Sequence, residues 1–301
     1  MLLTILGTGA GGPFQGRNYT AQVLQVENQY FLIDCGEGAQ HQLYKYRVPY
    51  DRFMQIFISH LHGDHVFGLI GLLTSYCLKK RNTTLEIYSP PGLQELVEQT
   101  ARLCGIIFPY PLKFIEVDAS VSRQVFENKY VEVLTIPLQH RILCCGWLFR
   151  EKPKPRNIRK EKIEEFDIPV RLIPGIKAGA DLSLPDGRFI TNEALTFPPR
   201  PLRVYAFCSD TAPSSRVAEI VRKVDLLYHE ATFTSEHELE AAISFHTTAA
   251  QAAGIARQAE VKKLLLGHFS GRYANADQHL VEARGIFAES YAAEEGHVYG
   301  I

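Results

Sequence analysis

The 301-residue sequence lacks an excess of charge of either sign: 32 lysines and arginines face 33 aspartates and glutamates, for a formal net charge of −1. A protein that coats nucleic acid indiscriminately needs a strong basic surplus, so that class is excluded, while a local basic patch is not. No apolar run approaches the roughly 20 residues of a membrane-spanning helix, and no bilayer span is expected. The opening Met1-Leu2-Leu3-Thr4-Ile5-Leu6-Gly7 has neither basic flank nor cleavage site, and reads as a first strand rather than an export signal. The six cysteines, Cys35, Cys77, Cys104, Cys144, Cys145 and Cys208, include no C-x-x-C pair. Without an export signal they are expected to be buried free thiols of a cytoplasmic protein. No short-period repeat is present. With 46% hydrophobic and 22% charged residues, the composition leaves out disorder, collagen and coiled coil.

What is present reads as strands and helices in two halves. Residues 20–26 and 30–33 are β-prone runs split by Glu27-Asn28-Gln29, a hairpin pattern. Short strands are expected at 55–59 and 85–88, helices at 66–80 and 92–103, and mostly strand over 112–149. The alternation resumes with strands at 203–207, 226–228 and 263–266 and helices at 247–258 and 277–288. Such halves predict one layered α/β domain over 1–301. Between them the composition shifts. Residues 150–162 hold seven basic and two acidic residues with prolines between, and glycine and proline stay frequent to 201. With few apolar periodicities, 151–199 is expected to be an inserted, functional or mobile segment rather than core.

The densest chemistry is His60-Leu61-His62-Gly63-Asp64-His65, with three imidazoles and one carboxylate on a turn between a buried strand and a helix. These are the donors a borderline cation such as zinc takes in catalytic sites. On one rigid turn, alternate side chains can face two adjacent ions. His140, Asp210 and His268 each follow an expected strand. Each alone is a weak signal, but with the cluster they complete a two-metal site at one edge of a sheet sandwich.

This ligand pattern resembles the metallo-β-lactamase superfamily, and within it the chain is similar to the ribonuclease Z family of tRNA 3′-processing endonucleases. The similarity also runs through Leu6-Gly7-Thr8-Gly9, Ile33-Asp34-Cys35-Gly36-Glu37-Gly38, Ser209-Asp210-Thr211, His229-Glu230-Ala231-Thr232 and His246-Thr247-Thr248. The resemblance implies an αββα sandwich with an inserted protruding arm. It implies a zinc-dependent endoribonuclease that removes the 3′ trailer from precursor tRNA and leaves a tRNA 3′-hydroxyl. His60, His62 and His140 would hold one Zn2+, Asp64, His65 and His268 a second, with Asp210 bridging. Two such ions about 3.5–4 Å apart share a hydroxide for in-line attack. Mn2+ or Fe2+ suits the same donors. Asp64 would orient the nucleophile or take its proton, and Asp34 would support the ligands without joining them. His246, oriented by Glu230, would protonate the leaving ribose oxygen.

The family's arm is inserted between the strand near His140 and the strand ending at the bridging aspartate. The resemblance therefore implies that Lys152, Lys154, Arg156, Arg159 and Lys160 grip phosphates of the tRNA elbow. Arg17 and Asn18 would bind phosphate or an exposed base near the RNA 3′ end, in a loop where Gln15 replaces the family's lysine. The Gly-Pro pair usual in the arm is absent, and Thr247 stands where serine is common. An arm that starts beside its own metal site, with the elbow far from the acceptor end, implies a homodimer in which one subunit's arm holds the tRNA that the other cuts. Two further readings are a phosphodiesterase of the same superfamily acting on small cyclic or diester substrates, and a non-catalytic RNA-binding relative. The first has no need of a basic arm. The intact set with Asp64, Glu230 and His246 argues against the second. Hydrolysis of a β-lactam would leave the arm without purpose.

Overall fold

Strand Ala21–Val26 is buried along nearly its whole length, so its sheet must be covered on both faces. In the computed structural model, which describes residues 1–301, this strand belongs to a seven-stranded sheet. The order is Val298–Gly300, Leu2–Gly7, Ala21–Val26, Gln29–Ile33, Phe53–Phe57, Leu85–Ser89 and Leu112–Glu116. Pairing is antiparallel as far as Gln29–Ile33 and parallel beyond it. A second seven-stranded sheet runs Ser290–Ala292, Leu264–Gly267, Leu226–Glu230, Val204–Cys208, Cys145–Glu151, Val131–Pro137 and Gln124–Glu127.

Leu3, Phe31 and Phe57 from the first sheet share one buried cluster with Trp147, Phe149, Phe207 and Tyr228 from the second. The Phe57 ring lies 4.9 Å from Tyr88, 5.1 Å from Trp147 and 5.3 Å from Phe149. Truncating such a ring to alanine costs about 3–5 kcal/mol. Helices Ala39–Lys45, Leu69–Leu78 and Leu93–Cys104 cover the outer face of the first sheet, and Ser215–Ile220, Ala249–Gln258 and Asp277–Arg284 that of the second. The result is the expected αββα sandwich. Helix Leu93–Cys104 shows how the pattern works locally. It buries Leu93, Val97 and Ala101 at four-residue spacing, turns Glu95 and Glu98 outward, and stops at Gly105 with φ 65°. No helix is long and apolar enough to cross a membrane.

Some boundaries differ from expectation. The helix expected over 66–80 is two, Gly63–Val66 and Leu69–Leu78. Between them Gly68 N–H donates to Cys35 O at 2.9 Å, and a Cβ at Gly68 would lie 2.1 Å from Gly36 O. The helix expected to 288 ends at Arg284, because Ile286 and Phe287 turn in to pack on the core. Four cysteines are buried free thiols as expected, but Cys77 is half-buried and Cys104 exposed.

The chain folds as two compact units, Met1–Arg150 with Arg203–Ile301, and Glu151–Leu202. The second, expected to be no core, has one of its own. Ile168, Ile176, Leu182 and Leu195 are buried together, with Ile158, Phe166 and Ile190 packed on them. Its helices Lys160–Glu165, Ile173–Lys177 and Asn192–Leu195 and its hairpin Leu182–Ser183/Phe189–Ile190 are too short to leave a periodic signal. Asn192 ties them together: its backbone N–H donates to Asp181 Oδ1 at 2.6 Å, and its Nδ2 to Ile176 O at 2.6 Å and Ala180 O at 2.8 Å. Ten basic and eight acidic residues leave this unit at net +2, so the charge excess is confined to its leading stretch.

Candidate metal centre

The turn at 60–65 is held from beneath by Asp34-Cys35-Gly36. Asp34 follows strand Gln29–Ile33 with φ 56°. Its Oδ1 accepts from Ser59 N–H at 2.7 Å, and its Oδ2 from Ser59 Oγ at 2.8 Å and His65 Nδ1 at 2.7 Å. Cys35 N–H donates to His65 O at 2.8 Å, and a Cβ on Gly36 would stand 2.3 Å from Asp64 O. Asp34 therefore orients the ring of His65 and stays behind the ligand atoms.

Seven side chains converge above this support in two groups with Asp210 between them, and Asp210 also gathers with His246 and His268. His60, His62, His140 and Asp210 form one, Asp64, His65 and His268 the other, each with its ligand atoms within 4.8 Å of one another. Asp210 Oδ2 lies 3.6 Å from His60 Nε2 and 3.8 Å from His140 Nε2, while its Oδ1 lies 3.3 Å from both His65 Nε2 and His268 Nε2. The carboxylate thus turns one oxygen to each group.

The far ring nitrogens decide the tautomers. His140 Nδ1 donates to Phe245 O at 3.0 Å, His65 Nδ1 to Asp34, and His268 Nδ1 to Thr232 Oγ1 at 2.9 Å. Their Nε2 atoms then carry lone pairs, and these crowd other ring nitrogens. His140 Nε2 is 3.2 Å from His62 Nδ1, His60 Nε2 is 3.0 Å from that same atom, and His65 Nε2 is 3.3 Å from His268 Nε2. Asp210 Oδ1, fully enclosed, has no hydrogen-bond partner. Converging lone pairs around an orphaned carboxylate oxygen repel one another unless a cation lies among them. The residues therefore fit divalent metal.

Beside the centre, Glu230 has no exposure and accepts five hydrogen bonds. Oε1 takes Thr211 N–H, Thr247 N–H and His246 Nδ1 at 3.1, 3.0 and 2.9 Å. Oε2 takes Thr232 N–H at 2.9 Å and Thr232 Oγ1 at 2.8 Å. His246 stacks over His268 at 5.5 Å and meets His140 at 5.1 Å. Its burial disfavours a charge, but the Glu230 carboxylate outweighs that and the imidazole is pushed up to about 9. A capping box between Thr248 and Gln251 starts helix Ala249–Gln258 directly after Thr247, and fixes where His246 stands.

Arg17 and Asn18 sit in the loop over the second group, but both are engaged internally. Arg17 Nη1 donates to Tyr273 O at 2.8 Å and its guanidinium lies over Phe269, while Asn18 Nδ2 donates to Glu295 Oε2 at 2.6 Å. Gln15 is exposed, with φ 58°. In Glu151–Leu202, Lys154 and Lys160 are exposed, and Lys152, Arg156 and Arg159 half-buried. Arg159 stacks on Phe197 at 4.5 Å and donates to Thr196 O at 3.2 Å, so it also serves that unit's own fold. Sequence reasoning gave no role to Ser59, Thr232 or Glu295. Ser59 lies beside one quoted motif and Thr232 within another. Glu295 acts across 277 positions on Asn18, a distance no local pattern can signal.

Comparison with known proteins starts from this geometry. A family profile described as Anti-Pycsar protein Apyc1 matches residues 1–105, which include the 60–65 turn but none of the later ligands. Over 97% of its length the chain is 44% identical to Ribonuclease Z of Bacteroides thetaiotaomicron, covering 93% of that protein. It is 42% identical, over 97%, to Ribonuclease Z of Porphyromonas gingivalis, covering 96% of it. The chain belongs to the ribonuclease Z family. It is thereby a phosphodiester-hydrolysing endoribonuclease of the metallo-β-lactamase superfamily. The crystal structure of human tRNase Z, short form, superimposes with a TM-score of 0.70 at 28% identity, covering 100% of this chain and 99% of that one. The metallo-β-lactamase fold protein YhfI from Bacillus subtilis gives the same TM-score at 18% identity, over 99% and 98% of the two chains, and shares the fold alone.

Proposed function

We propose that this ribonuclease Z family member removes the 3′ trailer from precursor tRNA in the cytoplasm. The observation that carries the reading is the convergence of seven ligand side chains beside a buried Glu230–His246 pair. His60, His62 and His140 would hold one Zn2+, Asp64, His65 and His268 the other, with Asp210 between. Bound there, the ions supply Lewis acidity toward the phosphate and a nucleophile at neutral pH. Asp64 orients the attacking water and takes its proton. As the bond from phosphorus to the ribose 3′ oxygen breaks, His246 gives that oxygen a proton and leaves a 3′-hydroxyl on the tRNA. Glu230 keeps His246 charged and turned toward the centre.

Lys152, Lys154, Arg156, Arg159 and Lys160 bind phosphates of the tRNA body, away from the cut. Their separate unit, with its own core, favours this over a small diester as substrate. Arg17 belongs to the loop whose Gly11 N–H meets Asp64, and in this reading it would bind RNA near the scissile end, while Asn18 shapes the same loop. We also infer a homodimer. Phe67, Leu78, Leu103 and Ile107, in or just after the helices outside the first sheet, expose 64, 82, 81 and 85% of their surface, apolar area available for a second copy to cover. Cleavage of a trailer-bearing tRNA, compared with bis-p-nitrophenyl phosphate, tests the substrate. Efficient hydrolysis of the diester with no processing of the tRNA would replace this reading with the small-substrate one. Mixing an arm-deleted subunit with an Asp64→Ala subunit tests the dimer. Tagged mixed dimers are expected to process tRNA, and inactive ones would show that the arm serves its own subunit.

A further inference from the structure

A carboxylate remote from every motif controls the loop that overhangs the second ligand group. Glu295 lies, half-buried, in the turn between strands Ser290–Ala292 and Val298–Gly300. Its Oε1 accepts from Asn18 N–H at 2.6 Å and from Thr8 N–H and Thr8 Oγ1 at 3.3 Å, and its Oε2 from Asn18 Nδ2 at 2.6 Å. Thr8 and Asn18 are the two feet of the loop 8–18, already joined by Thr8 N–H and Gly9 N–H donating to Asn18 O at 3.0 and 2.9 Å. From this loop Gly11 N–H donates to Asp64 Oδ2 at 2.8 Å. That oxygen is the one facing His65 Nε2 at 3.7 Å and His268 Nε2 at 3.4 Å.

We propose that Glu295 is a positioning residue for Asp64. By clamping both feet of the loop it keeps the Gly11 N–H on Asp64 Oδ2, and so fixes the direction in which that oxygen offers its remaining lone pair to the metal centre. The inference rests on the reading of Asp64 as a ligand. A carboxylate oxygen has two lone pairs; with one fixed by an N–H, the other cannot swing away. A pure staple between remote parts of the chain would make the same hydrogen bonds at Thr8 and Asn18, but would have no effect at Asp64.

The test uses full-length protein and three readouts: zinc affinity by chelator competition, kcat and KM on precursor tRNA and on bis-p-nitrophenyl phosphate, and thermal melting. Glu295→Ala is expected to lower zinc affinity and kcat on both substrates about 10–100-fold, the range for lost support of a ligand, with KM for the diester little changed. A reversed pair guards against trivial unfolding. Asn18→Asp alone opposes two carboxylates and is expected to be as damaging as Glu295→Ala. Adding Glu295→Gln restores an amide–carboxylate pair in the opposite sense, and is expected to recover zinc affinity and kcat to within a few-fold. If Glu295→Ala keeps zinc affinity and kcat within twofold, whether or not it melts earlier, or if the reversed pair recovers melting but not zinc affinity, Glu295 is only a staple and the proposal falls. A failure of the underlying reading shows elsewhere: the unmutated protein would then bind no zinc, and its diester cleavage would ignore chelators.

Discussion

Glu230 accepts five hydrogen bonds with no exposure to solvent, whereas Lys154 and Lys160 of the 151–202 unit project into it. The first region holds Glu230 and its five donors in place before a substrate arrives. The second uses buried polar groups, Asn192 and its partners, to hold its own fold, and turns Lys154 and Lys160 outward. The difference follows from the two tasks. Breaking a phosphodiester depends on groups placed to a fraction of an ångström in a dry setting, where electrostatics are strong. Holding a phosphate backbone depends on charge acting over a Debye length, and tolerates motion.

The largest effects should follow from damage to the first region. His62→Ala or Asp64→Ala is expected to reduce cleavage of both precursor tRNA and bis-p-nitrophenyl phosphate to background, and chelation should do so reversibly. Full activity in a preparation shown to be metal-free by elemental analysis would end the metal reading. Next comes His246→Ala, expected to slow RNA cleavage by about 10²–10⁴-fold, the usual worth of a general acid. The p-nitrophenyl diester should suffer less, since p-nitrophenolate departs without a proton. Equal losses on the two substrates would make His246 a structural residue instead.

Removing Glu151–Leu202 should sort the two regions cleanly. Precursor tRNA binding is expected to weaken and its log–log salt slope to flatten by about 0.7–0.9 for each phosphate no longer neutralised, while the small diester is still cut. Unchanged tRNA processing by the shortened chain would reduce this unit to a solvated insertion. The smallest effect is a labelling pattern inside the first region. Burial pushes the Cys35, Cys144, Cys145 and Cys208 thiols up, and Cys144 Sγ lies against Asp210 O at 3.4 Å. A thiol alkylator at neutral pH should therefore modify Cys104 first and leave those four until denaturant is added, as mass spectrometry would read.

The same contrast separates what the sequence could tell from what it could not. The dense cluster His60–His65 stood out by itself, whereas His140, Asp210 and His268, each a weak signal alone, gained weight only beside it and through the family resemblance; the fold brings all seven donors together. The sandwich was legible as well, because strands buried on both faces and amphipathic helices leave strong periods, as in Leu93–Cys104. The internal core of 151–202 was not, since elements of two to six residues complete no period. Nor was the engagement of Asn18. A free amide and one held by a carboxylate 277 positions away have the same local sequence.

Strand Val298–Gly300 lies along Leu2–Gly7 with Leu2 opposite Gly300, so the first and last strands of this sequence complete one sheet together. During synthesis, every side chain of the two candidate ligand groups has been made once His268 is added, yet strand Val298–Gly300 and Glu295 are still to come. Pairings between such distant segments form late, because the ends of a long loop must first meet. The 151–202 unit, whose apolar cluster is local, has no such wait. Until Val298–Gly300 is in place, the sheet that leads into Asp34 and the 60–65 turn keeps the edge along Leu2–Gly7 open.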